Sequence, residues 1–270
     1  MKNITFYNDV SMPIIGLGVF RIDKNQMNQA ISSAYDIGYR HFDTAQMYGN
    51  EIELGFALKE LKVNRADYLI TTKIDNVNQG YESTLKAFQQ SLKDLQTDYI
   101  DQLLIHWPGQ DPKRTLETWK AFVKIYDEGL ARVIGVSNFT IRHLQILDYS
   151  NIKPMSNQIE RNPLQNENDI MPYLKAQNII PIAWSPLGRG NIHFPFIEEL
   201  AEKYNKTAAQ IVLRWNIDSD VMIIPKSIHA ERQAENFDLF AFELNQDEIE
   251  QINKLHTGER ISFDPETYDF

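Results

Sequence analysis

Four residues of this chain have the types and surroundings to do chemistry: Asp43, Tyr48, Lys73 and His106. Three of them close apolar runs that read as buried strands, His41-Phe42-Asp43, Leu69 to Lys73 and Ile100 to His106, and Tyr48 stands on the connection after the first. In α/β proteins the carboxyl ends of strands gather at one face, so these ends can meet in space. A tyrosine, with an ordinary pKa of about 10, is a weak proton donor, and a buried ammonium beside it favours the phenolate by ~1.4 kcal/mol per pKa unit. Lys73 is placed to be that ammonium, Asp43 its counter-charge, and His106 the imidazole that orients a carbonyl oxygen beside the phenol. Such a site protonates an oxygen as it becomes an alkoxide. It needs an electron source, and in a chain with no cysteine that source is a cofactor.

The second half offers a berth for one. Ser137, Asn138 and Gln158, at consecutive strand ends, suit a carboxamide, and Trp184 suits a flat heterocycle. The loop Ser185-Pro186-Leu187-Gly188-Arg189-Gly190 brings backbone donors and a guanidinium to a pyrophosphate. Further on, Lys226, Ser227 and Arg232 place two cations and a hydroxyl at a strand end and the helix entry after it, where barrels commonly bind phosphate. The competing reading pairs Lys226 and Arg232 with Glu231 or Glu235 as solvated surface charges.

The elements that must position these residues follow from the pattern of apolar runs. Eight strand candidates, beginning at Ile14, Arg40, Leu69, Ile100, Val133, Met155, Ile179 and Met222, alternate with amphipathic helical stretches. Turn chemistry at Asn8-Asp9 joins Ile4–Tyr7 and Val10–Pro13 into a hairpin that could close one end of a barrel. Helices over 230–237 and 246–254 follow the last strand, and then an aperiodic tail. No linker or low-complexity stretch interrupts the alternation, which predicts one domain over residues 1–270, a single (β/α)8 TIM barrel. The runner-up, a doubly wound sheet, lacks its G-x-G-x-x-G fingerprint, because Gly16-Leu17-Gly18 leads into Val19-Phe20-Arg21.

Composition narrows the function classes. With 270 residues, 43% hydrophobic and 24% charged, the chain can bury a substantial core. A net charge of −10 argues against nucleic-acid binding. No run approaches the ~20 apolar residues that span a bilayer, and the absence of cysteine fits the cytoplasm.

The sequence resembles the aldo-keto reductases along essentially its whole length, through DTAQMYGNE at 43–51, TTK at 71–73, LLIHWP at 103–108, GVSNF at 135–139, Gln158, WSPLGRG at 184–190 and IPKS at 224–227. Within that family it looks most like the small bacterial diketogluconate and glyoxal reductases. The resemblance implies a (β/α)8 barrel, NADPH-dependent reduction of aldehydes and ketones, a tetrad of Asp43, Tyr48, Lys73 and His106 with Tyr48 as general acid, and Glu235 and Asn236 facing the adenine. Position and resemblance together nominate Phe20, Trp107 and Phe263 for an apolar wall around a small carbonyl substrate. Ile74-Asp75 departs from the family pattern, where a tryptophan or proline is expected after the lysine.

Two other functions are open to this sequence. One is a nucleotide-sensing or regulatory barrel subunit that no longer turns over. The other is a metal hydrolase, since His41 and Asp43 point to the same side of a strand with His106 nearby. A lysine and a tyrosine in the cluster suit proton transfer better than metal ligation, so no metal is expected. His143, His193, His229 and His256 read as solvated surface residues. A monomer is expected, as no long apolar helix face is left over.

Overall fold

A computed structural model describes residues 2–270. Strands β1 (Asn3–Thr5) and β2 (Ser11–Pro13) pair as an antiparallel hairpin. They are shorter than the predicted hairpin, because Phe6 N bonds Val10 O and opens a wider turn with Asp9 at φ 65°. Then come β3 (Leu17–Gly18), α1 (Lys24–Ile37), β4 (His41–Asp43), α2 (Glu51–Glu60), β5 (Leu69–Ile74), α3 (Tyr81–Asp94), β6 (Ile100–Ile105) and α4 (Pro112–Asp127). The second half contributes β7 (Ala131–Ser137), α5 (Ile141–Ile146), β8 (Ser156–Glu160), α6 (Met171–Ala176), β9 (Ile180–Trp184), α7 (Pro195–Tyr204), α8 (Ala208–Asp218) and β10 (Met222–Ile223). Helices α9 (Ala230–Phe237) and α10 (Gln246–Asn253) follow.

Strands β3 to β10 form one parallel sheet in sequence order. The ring closes where Gly16 N donates to Ile223 O at 2.8 Å, Ile223 N to Ile14 O at 2.9 Å and Gly18 N to Pro225 O at 3.1 Å. A proline has no N–H to give, and the last strand ends at Ile223, before Pro225. All six residues of β6 are buried, as a strand covered on both faces requires. Helix α1 buries Met27, Ala30, Ile31 and Ala34, the stripe its spacing predicts. The hairpin caps the amino-terminal end: Asn8 Nδ2 donates to Arg132 O at 2.9 Å and Tyr7 Oη to Lys153 O at 2.6 Å, near the starts of β7 and β8.

Inside the ring a polar string crosses four strands. His41 Nε2 meets Thr71 Oγ1 at 2.7 Å, Thr71 Oγ1 donates to Gln102 Oε1 at 2.9 Å, and Gln102 Nε2 donates to Ser156 Oγ at 2.9 Å. The Thr71 hydroxyl has one proton, already given to Gln102, so His41 Nε2 must carry the donor hydrogen. A Cβ on Gly16 would come within 2.5 Å of His41 Nδ1, so only glycine leaves room for this ring. Burial holds His41 down at about 4 and therefore neutral. This is the work His41 does in the fold, bonded to Thr71 inside the barrel. Among the remaining histidines the surface expectation fails for His143, which is buried on α5 with Nδ1 2.9 Å from Thr140 Oγ1.

Candidate active site

Above that string the carboxyl ends of β4, β5 and β6 bring the four predicted residues together. Lys73 Nζ lies 2.6 Å from Asp43 Oδ1, 2.8 Å from Thr44 O and 3.3 Å from Tyr48 Oη. An ammonium has three donors, and each has an acceptor here. The hydrogen pointing at Tyr48 belongs to the lysine, which leaves the phenol's own proton free to face the barrel mouth. The second Asp43 oxygen accepts from Gln158 Nε2 at 2.7 Å, so the carboxylate is held from β5 and β8 at once. The His106 ring stands edge-on to Tyr48, centroids 5.6 Å apart.

Protonation follows from burial and neighbours. Burial pulls the Lys73 ammonium down, but Asp43 and Tyr48 outweigh it and its pKa is raised. Tyr48 moves the other way from the sequence expectation: burial pushes the phenol up, and Lys73 opposes this only in part. The phenol is therefore neutral at physiological pH, the state a proton donor needs, and the ammonium is placed where it would stabilise the oxygen once the proton has left. Burial and then Lys73 hold His106 well below the usual imidazole range, so it is neutral too. Its Nδ1 is buried without a protein partner among the described residues.

The neighbouring ends carry the residues predicted to hold a nucleotide, many of them already bonded to each other. Ser137 Oγ donates to Gln158 O at 2.8 Å. Asn138, at φ 63°, gives Nδ2 to His106 O at 3.0 Å and to Ser137 Oγ at 3.1 Å, and its Oδ1 accepts from Trp184 Nε1 at 2.8 Å. The Trp184 ring is thus fixed and half exposed. After it Ser185, Gly188, Arg189 and Gly190 all have positive φ, winding a loop in which Leu187 packs on the core and Arg189 is exposed. Across the mouth Lys226 and Arg232 are exposed, and no salt bridge among the described residues involves either. The expected alternative pairing does not form, since Glu235 accepts from Thr207 Oγ1 at 2.7 Å instead. Ser227 is buried and its Oγ accepts from His229 N at 3.1 Å, closing the turn into α9, on which Asn236 is also buried. Two unpaired cations at this edge and a fixed indole fit a phosphorylated dinucleotide.

The side of the mouth expected to take substrate is aromatic. Phe20 lies 4.8 Å from the Tyr48 ring and is 44% exposed, so it faces the mouth and not the core. Buried Trp107 meets Phe263 at 6.2 Å and Tyr268 at 5.0 Å, and those two stack at 4.4 Å. Phe263, 59% exposed, is no core residue either. Tyr268 escaped the sequence reading because the tail has no periodicity to mark it. Gln110 escaped too: its Nε2 donates to Glu266 O and Tyr268 O, each at 3.1 Å, and holds the tail in place. A cleft of about 240 Å3 opens between Asn138, Glu160, Arg260 and Glu266, and neither Tyr48 nor Lys73 lines it.

The profile of the Aldo/keto reductase family matches residues 14–193 and 194–257. The glyoxal reductase of Bacillus subtilis (strain 168) is 43% identical over 266 residues, 97% of this chain and 96% of that protein. The chain belongs to the aldo/keto reductase family. Among solved structures, MGS-M4, an aldo-keto reductase enzyme from a Medee basin deep-sea metagenome library, superposes with a TM-score of 0.95 at 40% identity, covering 99% of this chain and 100% of that one. A Gox0644 mutant in complex with NADPH superposes at 0.94 with 36% identity, covering 100% and 99%. As an aldo/keto reductase the protein is an oxidoreductase of carbonyl groups.

Proposed function

We propose that this aldo/keto reductase reduces small aldehydes and ketones, α-dicarbonyls such as glyoxal among them, with NADPH and with Tyr48 as general acid. The observation that carries the reading is the third Lys73 N–H, directed at Tyr48 Oη from 3.3 Å while the phenol itself stays protonated. The glyoxal reductase relative and the NADPH-bound neighbour support the substrate class and the cofactor.

NADPH, when bound, supplies the hydride. Trp184, steadied by Asn138, offers the stacking face, and Ser137, Asn138 and Gln158 line the edge where a carboxamide would bond. Arg189 and the Ser185–Gly190 backbone suit the pyrophosphate, and Lys226, Ser227 and Arg232 suit the adenosine 2′-phosphate, with Glu235 and Asn236 toward the adenine. Neutral His106 orients the carbonyl oxygen beside Tyr48, which gives it a proton while Lys73, balanced by Asp43, stabilises the phenolate left behind. Phe20, Trp107 and Phe263 wall the carbonyl in. The proposal also takes the enzyme as a cytoplasmic monomer of a single domain, and light scattering tests its mass.

Steady-state oxidation of NADPH with glyoxal, methylglyoxal and simple aldehydes tests the activity. Tyr48→Phe should lose turnover by about 100-fold to 10,000-fold and keep NADPH affinity. Near-normal turnover in that variant would remove the mechanism.

A further inference from the structure

Gln46 stands two residues before the proposed acid, in the same short 3-10 turn (Gln46–Tyr48), and its side chain leaves that turn altogether. Its Oε1 accepts from Asp75 N at 2.9 Å and from Asn78 Nδ2 at 3.0 Å. Its Nε2 donates to Ala87 O at 3.0 Å and to Ser91 Oγ at 2.8 Å. A primary amide offers two donors and two acceptor sites, so this one is fully used. The turn's own backbone bonds, Tyr48 N to Ala45 O and Gly49 N to Gln46 O, stay within it, and Met47 and Gly49 are exposed.

Asp75 directly follows β5, the strand that carries Lys73, so Gln46 joins the turn bearing the phenol to the segment leaving the ammonium's strand. Ser91 passes the link on to Glu51 Oε2 at 3.2 Å, and Glu51 Oε1 accepts from Thr72 Oγ1 at 2.6 Å, beside Lys73 again. The contact at stake is the one between Lys73 Nζ and Tyr48 Oη, whose 3.3 Å is already at the long end for a hydrogen bond. A drift of a few tenths of an ångström in the turn breaks it.

We propose that Gln46 is a positioning residue for Tyr48, keeping the phenol oxygen within donating distance of Lys73 and aimed at the mouth. This rests on reading Tyr48 as the general acid. Gln46 touches none of the residues assigned to the nucleotide, so its loss acts on proton transfer and not on cofactor binding.

The test uses Gln46→Met, which keeps length and removes all four bonds, and Gln46→Glu, which turns the donor pair into acceptors facing Ala87 O. With an aldehyde and NADPH, kcat should fall tenfold or more while the NADPH Kd stays within twofold. In the reverse direction, with an alcohol and NADP+, the rise of kcat with pH that reports loss of the Tyr48 proton should move to higher pH, because the phenol has lost its ammonium. A melting temperature that drops while kcat and the pH profile stay put would overturn the proposal and leave Gln46 a stabilising residue. Should Gln46→Met fail to fold, the pair Asn78→Ala with Ser91→Ala removes two of the four partners, with the same directions expected at several-fold size and the same null result overturning it. Wild-type protein that oxidises no NADPH with any aldehyde would sink the carbonyl-reductase reading and this proposal together. Wild-type turnover that Gln46→Met leaves intact sinks the proposal alone.

Discussion

Trp184 Nε1 donates to Asn138 Oδ1 at 2.8 Å, and the same amide holds His106 O from its nitrogen. One buried side chain therefore sets both the Trp184 ring, the proposed stacking face for a nicotinamide, and the backbone of His106, the imidazole proposed to orient the carbonyl. Removing the indole N–H forfeits a net contribution of about 0.5–1.5 kcal/mol. Trp184→Phe should weaken NADPH and NADH alike, by roughly twofold to tenfold, in fluorescence titrations. A loss confined to NADPH would show that the ring reads the adenosine end instead.

Arg232 is exposed and, among the described residues, forms no salt bridge, in a chain of net charge −10. Losing a charge-assisted contact to a 2′-phosphate costs roughly 1.5–3 kcal/mol. Arg232→Ala should weaken NADPH binding about tenfold to a hundredfold, leave NADH nearly untouched, and reduce the salt sensitivity of NADPH binding. Calorimetry with both nucleotides at two ionic strengths checks this, and equal losses for the two would assign Arg232 to the fold.

The tail is held over the mouth by Gln110, which bonds the carbonyls of Glu266 and Tyr268. Deleting residues 259–270 should change the ranking of aldehydes by kcat/KM, because it removes Phe263 and Tyr268 from beside Trp107. Gln110→Ala should do the same more weakly, shifting KM several-fold while the NADPH Kd holds. An unchanged substrate ranking in the deletion would mean the tail lines no pocket.

Burial raises the Glu51 carboxyl from 4.5 to about 7, with Thr72 and Ser91 opposing. A carboxyl whose pKa is higher folded than unfolded favours the folded state while protonated. That advantage is complete below pH 4.5 and is lost as the pH rises through about 7. The loss integrates to about 3 kcal/mol. Glu51→Gln cannot titrate, so the stability difference between variant and wild type should move by that order in the variant's favour between pH 4.5 and pH 8. Urea denaturation at a series of pH values measures it, and a difference flat with pH would show that Glu51 ionises freely in the folded protein.

Residue type and period were enough to find the strand ends and most of what stands on them. An apolar run that stops at Asp43, Lys73 or His106 advertises a polar group at the edge of a core, and eight such runs alternating with amphipathic helices leave little choice of fold. The pairings were decided only in three dimensions. Asp43 is bonded from Gln158, 115 positions away, and the ring closes through Ile14, Gly16, Ile223 and Pro225. Local patterning carries no record of such contacts, because they depend on where the chain returns. The same holds for ionisation: a lysine near a tyrosine suggested a lowered phenol, but desolvation, fixed by everything packed around the ring, is the larger effect and raises it. His143 and Gln46 show the limit most plainly. Nothing in their type or spacing separates them from surface residues, and only the packing of α5 and of α3 against the neighbouring connections buries the one and engages all four bonding positions of the other.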